Sequence, residues 1–199
     1  MSPAKQLNDS NALGLALWHA AVLAAYGHNP AEVERLASDL IELSTRQSFT
    51  TWLPRGAVLR GWARSTSGET AEGILLIEEG IEDYQATGEM LDMPLLLGLK
   101  AESLHLADRN VEALEAIAEA EALVERFENR YWSAELHRLR AVFLAAMGAD
   151  DAQIDSSFCK AIRTAKQQKS VSLSMRAEAS YAEYHSQKKR ASEGRETKS

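Results

Sequence analysis

Leu59-Arg60-Gly61-Trp62-Ala63 runs into the turn Gly68-Glu69-Thr70, after which Gly73, Ile77 and Gly80 share one face of a second helical stretch. Small residues at Gly61, Gly73 and Gly80 let two helices approach closely, and Ile77 fills the space between them. The pattern is that of a helical hairpin, and it recurs. Turn-like sites at Gly27-His28-Asn29-Pro30, Gly68-Glu69-Thr70, Asp108-Arg109-Asn110 and Gly148-Ala149-Asp150 stand 41, 40 and 40 residues apart. Apolar residues with helical periodicity flank each turn on both sides. First helices are predicted over 11–26, 52–67, 92–107 and 132–147, second helices over 31–47, 71–87, 111–127 and 152–168, and a ninth over 171–187. Pro30 suits the first turn of its helix, where a missing N–H costs little. No strand-like alternation appears.

Counted back from each turn, position seven holds Ala20, Gly61, Ala101 and Ala141, all small. Position eleven holds Ala16, Ala57, Leu97 and then His137, a polar exception. The small–large–small face returns as Ala113, Ile117, Ala120 and, one residue later in its unit, as Ile154, Phe158, Ala161. This spacing resembles the tetratricopeptide (TPR) signature, stretched from its usual length of about 34 residues by longer helices. HEAT-type repeats share the longer period, but the small–large–small face favours the TPR-like reading. The expected fold is all-α, a right-handed TPR-like superhelical solenoid of about four and a half helix-turn-helix repeats.

The domain reading is a disordered N-terminus over 1–10, the solenoid over 11–187 and a disordered basic tail over 188–199, which begins Lys188-Lys189-Arg190 and has no large apolar side chain. The stretch 171–187, with Tyr181 and Tyr184 among polar residues, reads as a C-terminal cap. No comparable polar helix opens the chain, since Leu13, Leu15, Leu17 and Trp18 begin the stack directly. A sticky N-terminal edge follows as an expectation, used for a homodimer or for docking another chain.

Lys and Arg number 22 against 29 Asp and Glu, a net charge of −7 that argues against a general nucleic-acid binder. The imbalance is uneven: residues 1–130 carry 10 basic and 21 acidic groups, residues 131–199 carry 12 and 8. One cysteine, Cys159, excludes an internal disulfide and a cysteine-rich zinc site, and beside Phe158 it reads as a buried inert thiol. The first ten residues hold no signal-type apolar core, and no apolar run reaches membrane-spanning length. No membrane partner and a cytoplasmic location are expected.

Five histidines form no H-E-x-x-H pattern, so they read as scaffold and no metal or cofactor is expected. Carboxylates at Glu72, Glu78, Glu79, Glu82 and Asp83 recur at helical spacing, as on a solvated face. Eight residues before each turn stand His19, Arg60, Lys100 and Arg140, a basic column that reads as pairing with acids of neighbouring helices, or else as a stripe for an acidic peptide or anionic metabolite. By the register of TPR-type repeats, first helices line the concave groove. Its rows hold Arg55, Leu95 and Glu135, then Leu17, Val58, Gly98 and Arg138, then Ala21, Trp62, Glu102 and Val142, with His105 nearby. Arg55, Trp62, Glu102, His105, Glu135 and Arg138 are therefore the candidate partner-binding residues, because Trp and Arg are enriched at binding hot spots.

Ala134-Glu135-Leu136-His137-Arg138-Leu139-Arg140, then Phe158-Cys159-Lys160-Ala161-Ile162 and Ser172-Leu173-Ser174-Met175-Arg176-Ala177, resemble the C-terminal TPR-like region of large bacterial signalling proteins. Leu59-Arg60-Gly61-Trp62-Ala63 with Ala71-Glu72-Gly73-Ile74 carries the same likeness. In that family the region follows a P-loop ATPase module, often preceded by an adenylate or guanylate cyclase or a winged-helix domain. This chain has no G-x-x-x-x-G-K-[ST] phosphate loop and no length for a cyclase. The resemblance therefore implies a non-catalytic interaction and regulatory module of signal transduction, holding a protein or peptide in the concave groove. A small-ligand sensor closing around a metabolite in that groove is the alternative.

Overall fold

The computed structural model describes the backbone of residues 3–196 and the side chains of residues 9–190 and Glu193. Among the described residues the chain is helical with no strand: α1 (Pro3–Tyr26), α2 (Pro30–Gln47), α3 (Trp52–Thr66), α4 (Thr70–Ala86), α5 (Met93–Leu106), α6 (Asn110–Phe127), α7 (Ser133–Ala146), α8 (Asp151–Gln167) and α9 (Val171–Glu196). A 3₁₀ turn at Arg130–Trp132 precedes α7. This is the expected all-α helical-repeat fold, and inside the chain every helix end lies within a residue or so of its predicted place. Where the sequence reads as one domain over 11–187, the helices gather into two compact units, 1–109 and 110–199.

The two ends differ from expectation. Helix α1 already begins at Pro3, and α9 runs on to Glu196, so residues 3–10 and 188–196 are helical rather than disordered. Proline is tolerated in a first turn. The tail is rich in Lys, Arg and Glu, good helix formers that need no core contact, and Lys189 faces Glu193 one turn on at 3.9 Å. Residues 1, 2 and 197–199 of these segments lie outside the described residues.

Among the described residues eight adopt the left-handed backbone conformation, with φ of 49° at His28, 54° at Ser48, 104° at Gly68, 78° at Gly88, 60° at Asp108, 53° at Glu128, 68° at Gly148 and 55° at Lys169. They fall every 20 residues, with 21 between the last two. Each ends a helix. Behind six of them the next N–H donates to the carbonyl five residues earlier: Asn29 to Ala24 at 3.0 Å, Phe49 to Ser44 at 2.9 Å, Glu69 to Arg64 at 3.0 Å, Arg109 to Leu104 at 2.9 Å, Ala149 to Leu144 at 3.0 Å and Ser170 to Ala165 at 3.0 Å; behind Gly88 the Glu89 N–H donates to the Thr87 hydroxyl instead. That reach-back bond satisfies a carbonyl the helix leaves open and stops it there.

The first left-handed residue is His28, not its neighbour Gly27. Measured from it the first repeat is 40 residues long, and Ala21, 0% exposed, stands where counting from Gly27 puts Ala20. Ala21 then aligns with Gly61, Ala101 and Ala141, all buried. In unit 1 the approach is close enough that a Cβ on Gly61 would stand 2.6 Å from the Gly73 carbonyl oxygen of α4. Around that crossing Trp18, Val58, Leu59, Ile77 and Leu96 form the core. In unit 2 the corresponding core is Ala141, Ile154 and Phe158, covered by Tyr181 and Tyr184 of α9. The Tyr181 ring stacks on Phe158 at 5.0 Å.

Left-handed backbone costs a residue with a Cβ about 1 kcal/mol and glycine almost nothing. Glu128→Gly and Lys169→Gly should each raise stability by about 1 kcal/mol in urea unfolding. Gly88→Ala, whose new methyl would meet no atom within 4 Å, should lower it by a similar amount.

Candidate partner-binding face

Arg55 of α3 does not face a groove. It is 4% exposed and its guanidinium is fully engaged within unit 1. Nε donates to Asp92 Oδ2 at 2.8 Å, Nη2 to Glu89 Oε2 at 2.8 Å and to the Tyr84 hydroxyl at 3.1 Å, and Nη1 to the Thr51 carbonyl at 2.7 Å. The rings of Tyr84, Trp52 and Trp18 surround its Cζ at 4.6, 4.9 and 5.9 Å. Burial works against the charge, yet the carboxylates of Glu89 and Asp92 hold the Arg55 pKa above its ordinary value. Burial also pushes the Tyr84 phenol up.

Glu135 and Arg138 of α7 are likewise interior, 5% and 6% exposed. Glu135 Oε1 accepts from Arg138 Nε at 3.0 Å and Nη2 at 2.7 Å, and from Arg176 Nη2 of α9 at 2.8 Å. Arg138 Nη1 reaches Ser180 at 3.3 Å. Burial alone would raise the Glu135 pKa, but the two arginines outweigh it and hold it at about 2. The candidate residues Arg55, Glu135 and Arg138 are thus corrected from groove lining to internal ties. Arg55 and Glu135 find charged partners in the loop before the next first helix or on that helix itself, a pairing that spacing within one repeat does not reveal, and Arg138 is held inside by Glu135 on its own helix.

Trp62, Glu102 and His105 come out differently. Trp62 is 1% exposed, a floor rather than a contact residue, and its indole N–H donates to Glu102 Oε2 at 3.0 Å. Glu102 and His105 lie on α5, half-buried. The His28 ring, in the turn between α1 and α2, stands 6.4 Å from the Trp62 ring. Three separate segments of unit 1 therefore bring imidazole, indole and carboxylate together at one edge of its core.

The basic column is structural in its last three members. Arg60 pairs with Glu34 of α2 at 2.9 Å, Lys100 with Glu78 of α4 at 3.0 Å and Arg140 with Glu121 of α6 at 2.6 Å. Each ties a first helix to the second helix before it. His19 does not belong: with the turn centred on His28, Ala20 occupies the column position and His19 Nδ1 meets its own Leu15 carbonyl at 2.9 Å. Glu121 also takes His137 Nδ1 at 3.0 Å, and despite burial Glu121's pKa is drawn down to about 2 by His137 and Arg140. His137, Glu121, Ser133 and Lys160 line a cleft of about 230 Å³ in unit 2. The only sequence signal for it was the polar exception at His137. Cys159 is exposed, not buried, because the inward stripe of α8 is Ile154, Phe158, Ala161 and Ala165. Among the described residues no helix is long and apolar enough to cross a membrane, and no three His, Cys, Asp or Glu side chains are gathered as a metal site would need.

Two outcomes follow. Arg55→Met leaves Asp92, 8% exposed, without its cation and should cost about 3–5 kcal/mol in urea unfolding. Glu135 binds its proton more weakly folded than unfolded, so its contribution is complete above the ordinary carboxylate value of 4.5 and is lost as pH falls toward 2. Unit 2 should weaken over that window, read from the resonance of fluorotryptophan at Trp132, its only tryptophan, and Glu135→Gln should flatten the dependence.

No family model matches the chain. An uncharacterized protein of Rhizobium meliloti, R02095, is 26% identical over 163 residues, which is 82% of this chain and 16% of that protein. The chain thus spans about a sixth of the relative's length. Among solved structures, Bacillus thuringiensis PlcR in complex with the peptide PapR7 and DNA superposes with a TM-score of 0.63 at 15% identity, covering 87% of this chain and 69% of PlcR. With PlcR, then, the chain shares a TPR-like, all-α helical-repeat fold.

Proposed function

We propose that the chain is a non-catalytic regulatory module of signal transduction that docks a protein or peptide segment on unit 1, where Trp62 holds Glu102 and His105 lies one turn further along α5. The observation that carries this reading is the indole-held carboxylate. Trp62 fixes one oxygen of Glu102 at 3.0 Å from below, so the group is oriented before a partner arrives and little side-chain entropy remains to be lost. A half-buried carboxylate beside an imidazole suits a peptide that offers a backbone N–H or a Lys or Arg side chain. The fold shared with a peptide-bound regulator supports a peptide or protein partner, and the net charge of −7 supports one that is not nucleic acid. The activity regulated, read as that of an ATPase or a nucleotide cyclase, belongs on this view to a partner or to other parts of a longer protein. The relative's length supports a module of something larger.

The test compares proteins captured from the source cell's lysate by the wild-type chain and by Glu102→Lys, both checked for unchanged circular dichroism. A protein held by the first and lost by the second is expected. Equal retention by both would remove the Glu102 face from consideration. The cleft of about 230 Å³ in unit 2 supports the small-ligand alternative, which would instead show as a metabolite-dependent rise in melting temperature with no protein retained.

A further inference from the structure

Two polar groups at the floor of the unit 2 cleft are left without a partner. Ser133 of α7 is 8% exposed, and among the described residues its hydroxyl meets no donor or acceptor. One helical turn on, His137 is 9% exposed and gives its Nδ1 to Glu121 at 3.0 Å. Glu121 stays ionised, its pKa held at about 2 by His137 and Arg140. An ionised carboxylate only accepts, so in the neutral imidazole the proton sits on Nδ1 and Nε2 keeps its lone pair. Residues four apart on a helix share a face, and both side chains line the same space of about 230 Å³. Unpartnered polar groups this deep are uncommon in a folded chain. The cleft is the space from which a partner for both can come.

The rim sets the charge of that partner. Glu125 of α6 and Lys160 of α8 line the same cleft, both exposed, and among the described residues neither is paired with the other or with a third group. Glu121 and Arg140 are spent on each other at 2.6 Å. A ligand with only negative charge would lie against Glu125, and one with only positive charge against Lys160. A ligand carrying both charges answers both. An ammonium has three N–H donors, and the cleft offers it three acceptors in Glu125, the Ser133 hydroxyl and His137 Nε2. Lys160 is left for a carboxylate. Val124 and Leu136, 3% and 2% exposed, add an apolar wall. The volume is below the roughly 300–1,000 Å³ of sites for drug-sized ligands, so the occupant is small. We infer that the cleft binds a free α-amino acid with a small apolar side chain, its ammonium on Ser133, His137 and Glu125 and its carboxylate on Lys160. This rests on the small-ligand reading of the cleft and gives that ligand a chemical class.

The test offers the full chain each of the twenty common amino acids in turn, read by melting temperature and then by titration calorimetry. Small apolar members, L-valine among them, are expected to raise the melting temperature and to bind saturably. Isobutylamine, which is valine without its carboxylate, and isovalerate, which is valine without its ammonium, should each bind at least about tenfold more weakly. These amputated ligands make the comparison on the unaltered chain, so the outcome does not hang on how a variant folds. Lys160→Gln and Glu125→Gln, both at exposed positions, should each weaken valine by about tenfold, and Lys160→Gln should leave isobutylamine unchanged. Glu82→Gln, exposed on α4 of unit 1, should leave valine unchanged. The inference is overturned if isobutylamine or isovalerate binds as well as valine, or if valine binding survives both cleft substitutions. It also falls, alone, if no amino acid binds while an amine, an anion or an uncharged metabolite from a wider set does. If nothing in either set binds, the small-ligand reading falls with it.

Discussion

A left-handed step in the backbone every twentieth residue governs this chain. It ends each helix, at six of the eight turns sends one N–H back to a stranded carbonyl, and fixes how many residues the next helix has. Five of the eight positions hold a residue with a Cβ, His28, Ser48, Asp108, Glu128 and Lys169, each held in a conformation that glycine would adopt at lower cost. That the beat persists over such different side chains shows that local preference is not its source. Packing is. With Gly61 crossing Gly73 and Ile154 and Phe158 held under Tyr181, each helix has one length at which its small residues meet their partners. The strain at the turn is the smaller term.

Buried charge is the second organising feature. Arg55 reaches Asp92, Trp62 reaches Glu102 and Glu135 reaches Arg176, each about one repeat further along. A buried ion pair need not stabilise a fold relative to an apolar one, because desolvation offsets the attraction. It does penalise every arrangement that separates the partners. In helices as rich in alanine and leucine as these, apolar contacts alone would tolerate sliding by a turn. A guanidinium enclosed by Trp18, Trp52 and Tyr84 with two carboxylates accepts a single register.

The repeat, the helix ends and the TPR-like packing were legible in the sequence because they rest on local signals: small residues at fixed offsets, apolar faces and turn residues. The slip from His28 to Gly27 arose because glycine is the usual sign of a left-handed turn and histidine is not. That slip placed His19 in a column to which it does not belong. Arg55, Glu135 and Arg138 looked like surface hot spots for a different reason. Whether Arg55 and Glu135 are spent inside depends on Glu89, Asp92 and Arg176, some forty positions away, and periodicity within one helix says nothing about them; Arg138 goes inside with Glu135. Trp62 with Glu102 was found only as two members of a row, and the hydrogen bond between them is a property of the folded unit.

The single departure from the twenty-residue beat carries its own lesson. Gly148 and Lys169 are 21 residues apart, and the extra residue falls in the turn before α8, where Asp150 accepts a hydrogen bond from the Ala152 N–H. Within a helix one added residue would rotate everything after it by about 100° and carry Ile154 and Phe158 out of the core. In the turn it does nothing to them. Descendants of this chain can therefore grow or shrink freely only at the turns, or by whole repeats. Its helices behave as rulers that evolution can duplicate but cannot trim by a single mark.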